Sequence, residues 1–161
     1  MIRRLKMVYK YMLLALMFFN LISCSGEREA SKEQVLSHSI NQLEASFEAR
    51  KLSDIVEYIS EDYSDERGRN IKDIKRTIQL QLMRHKTLHV FTSIGDVQWK
   101  DDQNVTVQIA AAMGGKPMES ASILTSVRAD MVNFTVDFIL EDEVYKVKSA
   151  IWRWARPSDF L

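Results

Sequence analysis

The chain contains one cysteine in 161 residues, and this residue, Cys24, lies where an apolar run ends and a polar one begins. A single thiol cannot form a disulfide within the chain, so packing alone must stabilise the fold, even in an oxidising compartment. No run of about 20 apolar residues is present, which argues against a membrane-spanning helix. We also find no internal repeat, no low-complexity tract and no set of residues typical of a catalytic site.

The N-terminal residues have the pattern of a secretory signal. Residues 1–10 carry four basic residues and no acid, and residues 11–22, YMLLALMFFNLI, are apolar apart from Asn20. A charged segment followed by a short apolar one is typical of a signal peptide. The alternative, a helix of a soluble core, would need a polar face, which this run lacks. Two adjacent arginines in residues 1–10 are also found in twin-arginine export signals, but the motif that surrounds them in those signals is missing. The general secretory route is therefore favoured.

The segment LISC, residues 21–24, resembles the lipobox of bacterial lipoproteins. In that family the signal is cut before the cysteine, which carries a diacylglyceryl thioether and an acylated amino end. The resemblance implies a signal peptide over residues 1–23, a lipidated Cys24 and a polar tether over residues 24–30. Several acyl chains hold a protein firmly on a bilayer, at about 0.8 kcal/mol per buried CH₂. The alternative is a buried structural cysteine.

The residue after the cysteine and the charge of the remaining chain bear on location and partners. The residue after Cys24 is Ser25. An aspartate at this position tends to retain Gram-negative lipoproteins in the inner membrane, so the resemblance implies an outer-membrane anchor facing the periplasm. The chain has 22 basic and 22 acidic residues, and the first 23 residues hold four basic and no acidic ones. The mature part is therefore acidic by four charges, which argues against nucleic acid as a partner.

Helical patterns come first in the mature chain. Ser31 with Gln34 forms a capping box, and a stripe of apolar residues follows at helical spacing. A second, short helix is expected over residues 53–59, capped by Ser53. Asn70 with Asp73 is expected to open a third helix. The two stripes comprise Leu36, Ile40, Leu43 and Phe47, and then Ile71, Ile74, Ile78 and Leu82.

After the third helix the apolar period changes to two, which is typical of strands. A long strand is expected over residues 87–99, with a bulge at Gly95, where the apolar parity changes. Further strands are expected over residues 105–113, 131–140 and 144–154. The sequence predicts a tight turn at residues 141–143, and a loop with a short strand within residues 116–127.

Helices followed by a bent antiparallel sheet indicate an α+β fold. The order of elements over residues 31–155 resembles the nuclear transport factor 2-like superfamily, also called ketosteroid-isomerase-like. The resemblance rests on LSDIVEYISEDYSD after the first amphipathic helix and on the closing EDEVYKVKSAIWRW. It implies a domain over residues 31–161 in which the N-terminal helices pack on a curved antiparallel sheet. This cone-shaped, cystatin-like fold has an open end that can serve as a ligand pocket or an active site.

The resemblance implies a set of candidate pocket residues: Tyr58, Tyr63, Trp99, Asp137 and Trp152. The tyrosines flank the short second helix, where pocket residues often fall in this fold, although both could be packing residues. Asp137 shares a mixed strand face with Asn133 and Thr135, which solvent exposure explains equally well. The family's isomerases use an aspartate base and an oxyanion hole, but no motif places such residues here. No catalytic residue is assigned.

Other polar and aromatic groups have simpler explanations. Two histidines, His85 and His89, are too few for a metal site. The acid-rich segment EDYSDERGRN lacks the spacing of a calcium loop and is interpreted as a solvated loop. Neither a metal nor a cofactor is predicted. Trp152 and Trp154 share one strand face, which is either core or, if it faces outward, a patch for a partner.

Three functions remain open from the sequence. The leading hypothesis is a non-enzymatic envelope lipoprotein, held at the membrane by lipidated Cys24, whose domain binds a small apolar ligand or a protein partner. The rival is a periplasm-facing isomerase or dehydratase that uses a carboxylate within the cone. The third is a structural module that forms a homodimer through the outer face of the sheet.

Overall fold

A computed structural model describes residues 30–160 of the chain. Three helices precede four strands, which form one antiparallel sheet in the order β1-β2-β3-β4. The elements are α1 (Lys32–Glu48), α2 (Leu52–Glu57), α3 (Ile71–Arg84), β1 (His89–Trp99), β2 (Asn104–Gly114), β3 (Ala129–Glu141) and β4 (Val144–Trp154). This arrangement confirms the predicted α+β fold. The expected signal peptide and lipidated Cys24 lie outside the described residues.

Local capping signals position two of the three helices. The Ser31–Gln34 box begins α1, and the Asn70–Asp73 box begins α3, both as predicted. The predicted cap of α2 is wrong: Lys51 precedes this helix without a capping side chain, and the Ser53 hydroxyl, inside the helix, donates to Asp54. Tertiary packing fixes this six-residue helix instead, because Ile55 is fully buried. Within residues 30–160, no helix is both long and apolar enough to cross a membrane.

The strands follow the predicted alternation, with two features that shape the sheet. Between Ile94 and Val97 the register with β2 shifts by one residue, which confirms the bulge at Gly95. The tight turn between β3 and β4 has positive φ at both Asp142 and Glu143. Such a two-residue turn matches the right-handed twist of the strands that it joins.

The predicted short strand within residues 116–127 is wrong. This segment contains a 3₁₀ helix at Ala121–Ile123 and no strand. Its apolar residues Met118 and Leu124 are nevertheless buried, because they pack on the sheet. An apolar pattern alone cannot distinguish a strand from a loop that lies on a sheet surface.

We call the face of the sheet that packs against the helices the inner face, and the opposite one the outer face. On the inner face, Val107 lies opposite Val136, and both pack with Leu36 and Ile40 of α1. A second cluster joins α2 and α3 to the start of β1 through Ile55, Ile59, Tyr63, Leu82, Leu88 and Val90. These two clusters fill the space between the helices and the sheet.

The outer face is covered at one end and polar at the other. Ala110 and Ala112 of β2 are buried beneath the loop that follows β2 and the C-terminal segment, where Phe160 stacks on Phe91 at 6.1 Å between ring centroids. Further along the same face, Thr106 and Asp137 lie side by side. Little apolar surface is therefore left open on this face.

One part of the β4 edge is covered by the segment that follows α2. The Val147 N–H donates to the Tyr58 carbonyl (2.8 Å), and the Ser60 N–H donates back to the Val147 carbonyl (3.0 Å). The Ser64 N–H then donates to the Lys148 carbonyl (3.0 Å). These bonds fix the position of residues 58–64 beside β4 and leave the later part of that strand without this cover.

Candidate functional site

Side chains fill the interior between the helices and the inner face. Ile55 and Tyr145 are 0% exposed and Phe138 is 2% exposed. Two surface grooves are seen among residues 30–160. The first, of about 340 Å³, is formed by the loop after β2 and lined by Lys116 and Arg128. The second, of about 300 Å³, lies beside Asp137 and is lined by Lys100 and Lys148.

Tyr63 and Asp65 form the buried centre of the loop between α2 and α3. Tyr63 is 3% exposed, and its hydroxyl donates to Asp65 Oδ2 (3.2 Å). Burial, together with the adjacent Asp65 carboxylate, raises the pKa of Tyr63 to about 12. Both side chains are buried, so the interpretation of this segment as a solvated loop is wrong for them. Arg69 neutralises the buried Asp65 carboxylate at 2.7 Å.

Asp137 lies on the outer face, away from the helices. Its carboxylate accepts hydrogen bonds from Thr106 (2.6 Å), Lys100 (2.9 Å) and Ser149 (2.9 Å). Partial burial would raise the pKa of Asp137, but these three donors outweigh burial and lower it. This geometry makes Asp137 a stable anion that ties β2, β3 and β4 together.

Trp99 and Tyr58 have packing contacts. The ring of Trp99 packs edge-to-face on Tyr145 at 5.8 Å, and the Lys32 ammonium lies 4.7 Å from its centre. Trp99 thus covers the end of the core where α1 begins. Tyr58 is half-buried and ends α2. Its carbonyl accepts the bond from Val147 that holds the following segment on β4.

Trp152 and Trp154 are the most distinctive surface feature of the sheet. Both lie on the inner face, since Trp152 is opposite Phe134 and Trp154 is opposite Val132. They are nevertheless 36% and 67% exposed, and their rings meet edge-to-face at 5.6 Å. This surface lies at the end of β4 that the α2–α3 connection leaves uncovered.

The α2–α3 loop brings only part of the predicted set together. The Ser64 N–H, next to Tyr63 in the chain, donates to the Lys148 carbonyl of β4 (3.0 Å), and the Arg67 guanidinium lies 5.6 Å from the centre of the Trp152 ring. Tyr63 and Trp152 therefore lie near each other at the β4 edge. Trp99 is on the opposite edge strand, β1, and Asp137 is on the outer face.

Two inner carboxylates were not singled out from the sequence. Glu44 accepts a hydrogen bond from the Thr92 hydroxyl on the inner face, and Glu48 accepts one from the Val90 N–H (2.9 Å). The sequence pattern could have indicated them. Each glutamate directly follows a residue of the apolar stripe of α1, and the two are four residues apart, which places them on one side of the helix. The His89 Nδ1 lies 3.7 Å from Glu48.

His85 and His89, which the sequence analysis considered as a pair, lie on different elements. His85 is the C-terminal cap of α3, and His89 begins β1. Across the part of the chain that the structure describes, no group of three or more His, Cys, Asp or Glu side chains could hold a metal ion.

Solved structures share this fold. A protein provisionally named a scytalone dehydratase, from Novosphingobium aromaticivorans, matches with a TM-score of 0.61 at 11% identity, over 78% of this chain and 85% of that one. A protein provisionally named a dehydratase of the nuclear transport factor 2-like family, from Streptomyces avermitilis, matches with a TM-score of 0.56 at 12% identity, over 74% of this chain and 93% of that one. Bd1075 of Bdellovibrio bacteriovorus matches with a TM-score of 0.59 at 12% identity, over 74% of this chain but only 39% of that protein.

These similarities define the fold alone. No protein-family model matches the chain, and no curated protein is similar enough in sequence to indicate a relative. The chain has the nuclear transport factor 2-like α+β fold, which also occurs in proteins described as cystatin-like.

Proposed function

We propose that this protein is a lipid-anchored protein of the bacterial cell envelope whose domain docks a protein partner and performs no catalysis. Cys24 would carry the lipid, and residues 24–30 would separate the domain from an outer membrane whose periplasmic side it faces. The observation that carries the proposal is the exposed Trp152–Trp154 pair at the uncovered end of β4. Exposed aromatic residues are enriched where proteins bind one another.

The packed interior favours a protein partner over a small apolar ligand. A ligand pocket is usually a cavity of about 300 to 1,000 Å³ lined mainly by apolar groups. The two grooves described above reach that size, but both are open at the surface and carry charged side chains, Lys116 and Arg128 in the first and Lys100, Asp137 and Lys148 in the second. Native mass spectrometry of the chain purified in mild detergent should detect no stoichiometric small molecule. A bound apolar compound that survives purification would contradict this proposal.

The anchor is tested by membrane fractionation. Wild-type protein should remain with membranes washed in high salt and in carbonate, because acyl chains are buried in the bilayer. The Cys24→Ser variant should lose the acyl attachment, so its retention should depend only on its uncut apolar signal. Ser23→Ala is a suitable control, since a lipobox accepts either small residue before the cysteine. Equal membrane retention of wild type and Cys24→Ser, together with no lipid mass on the wild type, would contradict lipidation.

A second candidate is an isomerase or dehydratase, and one observation favours it. Glu44 is a partly buried carboxylate that faces the inner side of the sheet, where its partner is Thr92. In this candidate, Glu44 would act as the base toward a substrate that enters near Trp152. Glu44→Gln would then abolish turnover of a hydroxylated or ketonic substrate. If docking is the function, the same variant should bind the partner as tightly as wild type.

The outer face gives little support to the homodimer expected from the sequence. One end of this face is covered by the chain itself through Met118, Leu124 and Phe160. The other end carries the charged Asp137–Lys100 pair, at 2.9 Å. Dimers of stable domains usually bury a more apolar surface. We therefore favour docking at β4 over pairing through the outer face.

A further inference from the structure

We propose that the free end of β4, residues 151–154, binds an extended acidic segment of the partner by strand addition. This rests on the proposed docking function, and it names the mode of binding and the chemistry of the partner. The partner segment would become a fifth strand beside β4, with its apolar side chains against Trp152 and Trp154.

The backbone of β4 supports this mode. Along a strand, successive residues direct their N–H and C=O groups to opposite sides. The Ala155 N–H points toward β3, because it bonds to the Met131 carbonyl (2.9 Å), and Trp152 lies three residues before it on the strand. The N–H and C=O of Trp152 therefore point away from the sheet. Within residues 30–160, no other element supplies a hydrogen bond to these groups.

The side chains at this edge increase the need for a partner. Ile151 is 45% exposed on the outer face and Trp154 is 67% exposed on the inner face, so apolar side chains on both faces border an unpaired edge. Natural sheets usually protect such an edge with charge, proline or a covering segment. Here the hydrogen bonds from residues 58–64 cover the edge only as far as Lys148. An added strand would satisfy the backbone and cover the aromatic pair at the same time.

The charge around the edge indicates which strand would fit. Arg67 lies over Trp152, and Lys148 lies three residues before the free part of β4. Neither makes an ion pair within the described part of the chain, whereas Arg153 already pairs with Asp159 at 3.0 Å. The positive charge of Arg67 beside the open edge, with Lys148 next to it on the covered part of β4, favours acidic residues on the incoming strand.

The same charges disfavour a second copy as the occupant. Antiparallel pairing of residues 151–154 with the same residues of another molecule would bring the two Arg67 side chains, each of which lies over a Trp152 ring, to one edge. Like charges close to one another across paired strands are destabilising. A separate acidic segment would instead be attracted to Arg67.

Synthetic peptides test this proposal directly. The probes are four fluorescent ten-residue peptides that alternate glutamate with valine, isoleucine, phenylalanine or tyrosine. Each has a lysine-for-glutamate version and a version with proline at alternate positions. Fluorescence anisotropy with the full-length chain in detergent micelles gives the affinities. At least one acidic peptide should bind, and its lysine and proline versions should bind at least about tenfold more weakly, since one lost charge-assisted or backbone bond accounts for a factor of this order.

Variants and hydrogen exchange locate the site. Trp154→Thr should weaken peptide binding by about tenfold, because a central aromatic contact is lost, while the thermal unfolding curve remains that of a folded domain. Met83→Thr is the matched control: Met83 is 72% exposed on α3, and its loss should leave binding unchanged. Hydrogen exchange with mass spectrometry should show that the bound peptide slows exchange in residues 151–154.

Three results would overturn the proposal. The first is failure of all four acidic peptides to bind, or equal binding of their proline versions, which lack the donors of an added strand. The second is a loss of binding with Met83→Thr but not with Trp154→Thr. The third is slow exchange of residues 151–154 without peptide, together with concentration-dependent dimerisation, which would identify a second copy as the occupant.

A further experiment distinguishes a failure of strand addition from a failure of the proposed docking function. A photo-crosslinking residue at position 154 in living cells reports docking by any mode. Crosslinks to an envelope protein, without peptide binding, would keep the docking function and reject strand addition. Absence of crosslinks and of membrane retention would reject the proposed function itself.

Discussion

At the scale of single residues, Asp65 determines the shape of the α2–α3 loop. Its side chain is 2% exposed, and its oxygens accept bonds from the Arg69 guanidinium (2.7 Å) and from the backbone N–H groups of Arg67 (2.9 Å) and Arg69 (3.1 Å). Burial would raise the pKa of Asp65, but these donors outweigh it and hold the pKa below its usual range. The same bonds position Arg67 over Trp152.

Replacing this carboxylate should be destabilising. We expect Asp65→Asn to lower the free energy of unfolding by about 2 to 4 kcal/mol, because it leaves the largely buried Arg69 without its counter-ion. Urea unfolding at pH 7 measures this effect. The difference between the two proteins should shrink as the pH falls below about 4, because a lowered carboxyl pKa contributes stability only while the carboxylate is ionised.

A nearby aspartate provides the control for this prediction. Asp62 is exposed. Its backbone N–H donates to the Ser60 hydroxyl, but within residues 30–160 its carboxylate accepts no hydrogen bond. Asp62→Asn should therefore change the free energy of unfolding by less than about 0.5 kcal/mol. Equal effects of the two substitutions would show that Asp65 does not organise the loop.

Tyr63 gives a prediction at high pH. Its pKa of about 12 in the folded protein lies above the usual value of 10. The unfolded chain therefore loses this proton first, so the contribution of Tyr63 is complete below pH 10 and declines as the pH rises to about 12. Stability measured between pH 9 and pH 12 should fall less steeply in Tyr63→Phe than in wild type. Parallel curves would contradict the assigned burial of the hydroxyl.

At the scale of elements, a buried serine joins the first helix to the last strand. Ser39 of α1 is 0% exposed. Its hydroxyl accepts a hydrogen bond from the Tyr145 N–H (3.2 Å) and donates one to the Val35 carbonyl (3.1 Å). This contact satisfies a backbone donor at the start of β4, where no further strand is available. It therefore fixes where α1 crosses the sheet.

Loss of this hydroxyl should weaken the docking of α1. We expect Ser39→Ala to lower the free energy of unfolding by about 1 to 3 kcal/mol, because the Tyr145 N–H is left buried without an acceptor. Ser37→Ala, on the exposed side of the same helix, is the matched control and should have little effect. Hydrogen exchange at Tyr145 would become faster only in the first variant. Identical unfolding curves for the two variants would contradict this role.

Local signals predicted several features of the fold, although the local signal at Ser53 gave a wrong cap. The capping boxes at Ser31 and Asn70 depend on residues three apart, and the bulge at Gly95 follows from a change of apolar parity, so each could be inferred without knowing the fold. Residues 116–127 could not be assigned in this way. Met118 is buried because the loop lies on the outer face, and this contact depends on residues far away in sequence.

The candidate site was harder to predict than the fold, for a related reason. The shared face of Trp152 and Trp154 was predictable from strand parity, but their exposure depends on where the α2–α3 loop stops covering β4. Asp65 was missed because an acid-rich segment usually lies in solvent. Its burial depends on Arg69 and Tyr63, which reach it only through the conformation of the loop.

At the scale of the whole molecule, the proposed protein is an acidic domain joined to a lipid anchor. Residues after position 23 carry 18 basic and 22 acidic side chains, so attraction to anionic lipid would not hold this domain at a membrane. Acyl chains on Cys24 would supply that attachment instead. Residues 24–30 would leave the exposed end of β4 free to meet an envelope partner.

The mass of the mature protein is the most direct test of this account. Wild-type protein should be extracted from washed membranes with detergent and analysed by intact mass spectrometry, with Cys24→Ser as the comparison. We predict a chain that begins at Cys24 and carries the added mass of a diacylglyceryl group and an amide-linked acyl chain, both lost in the variant. An unmodified chain that still begins at Met1 would contradict the lipid anchor.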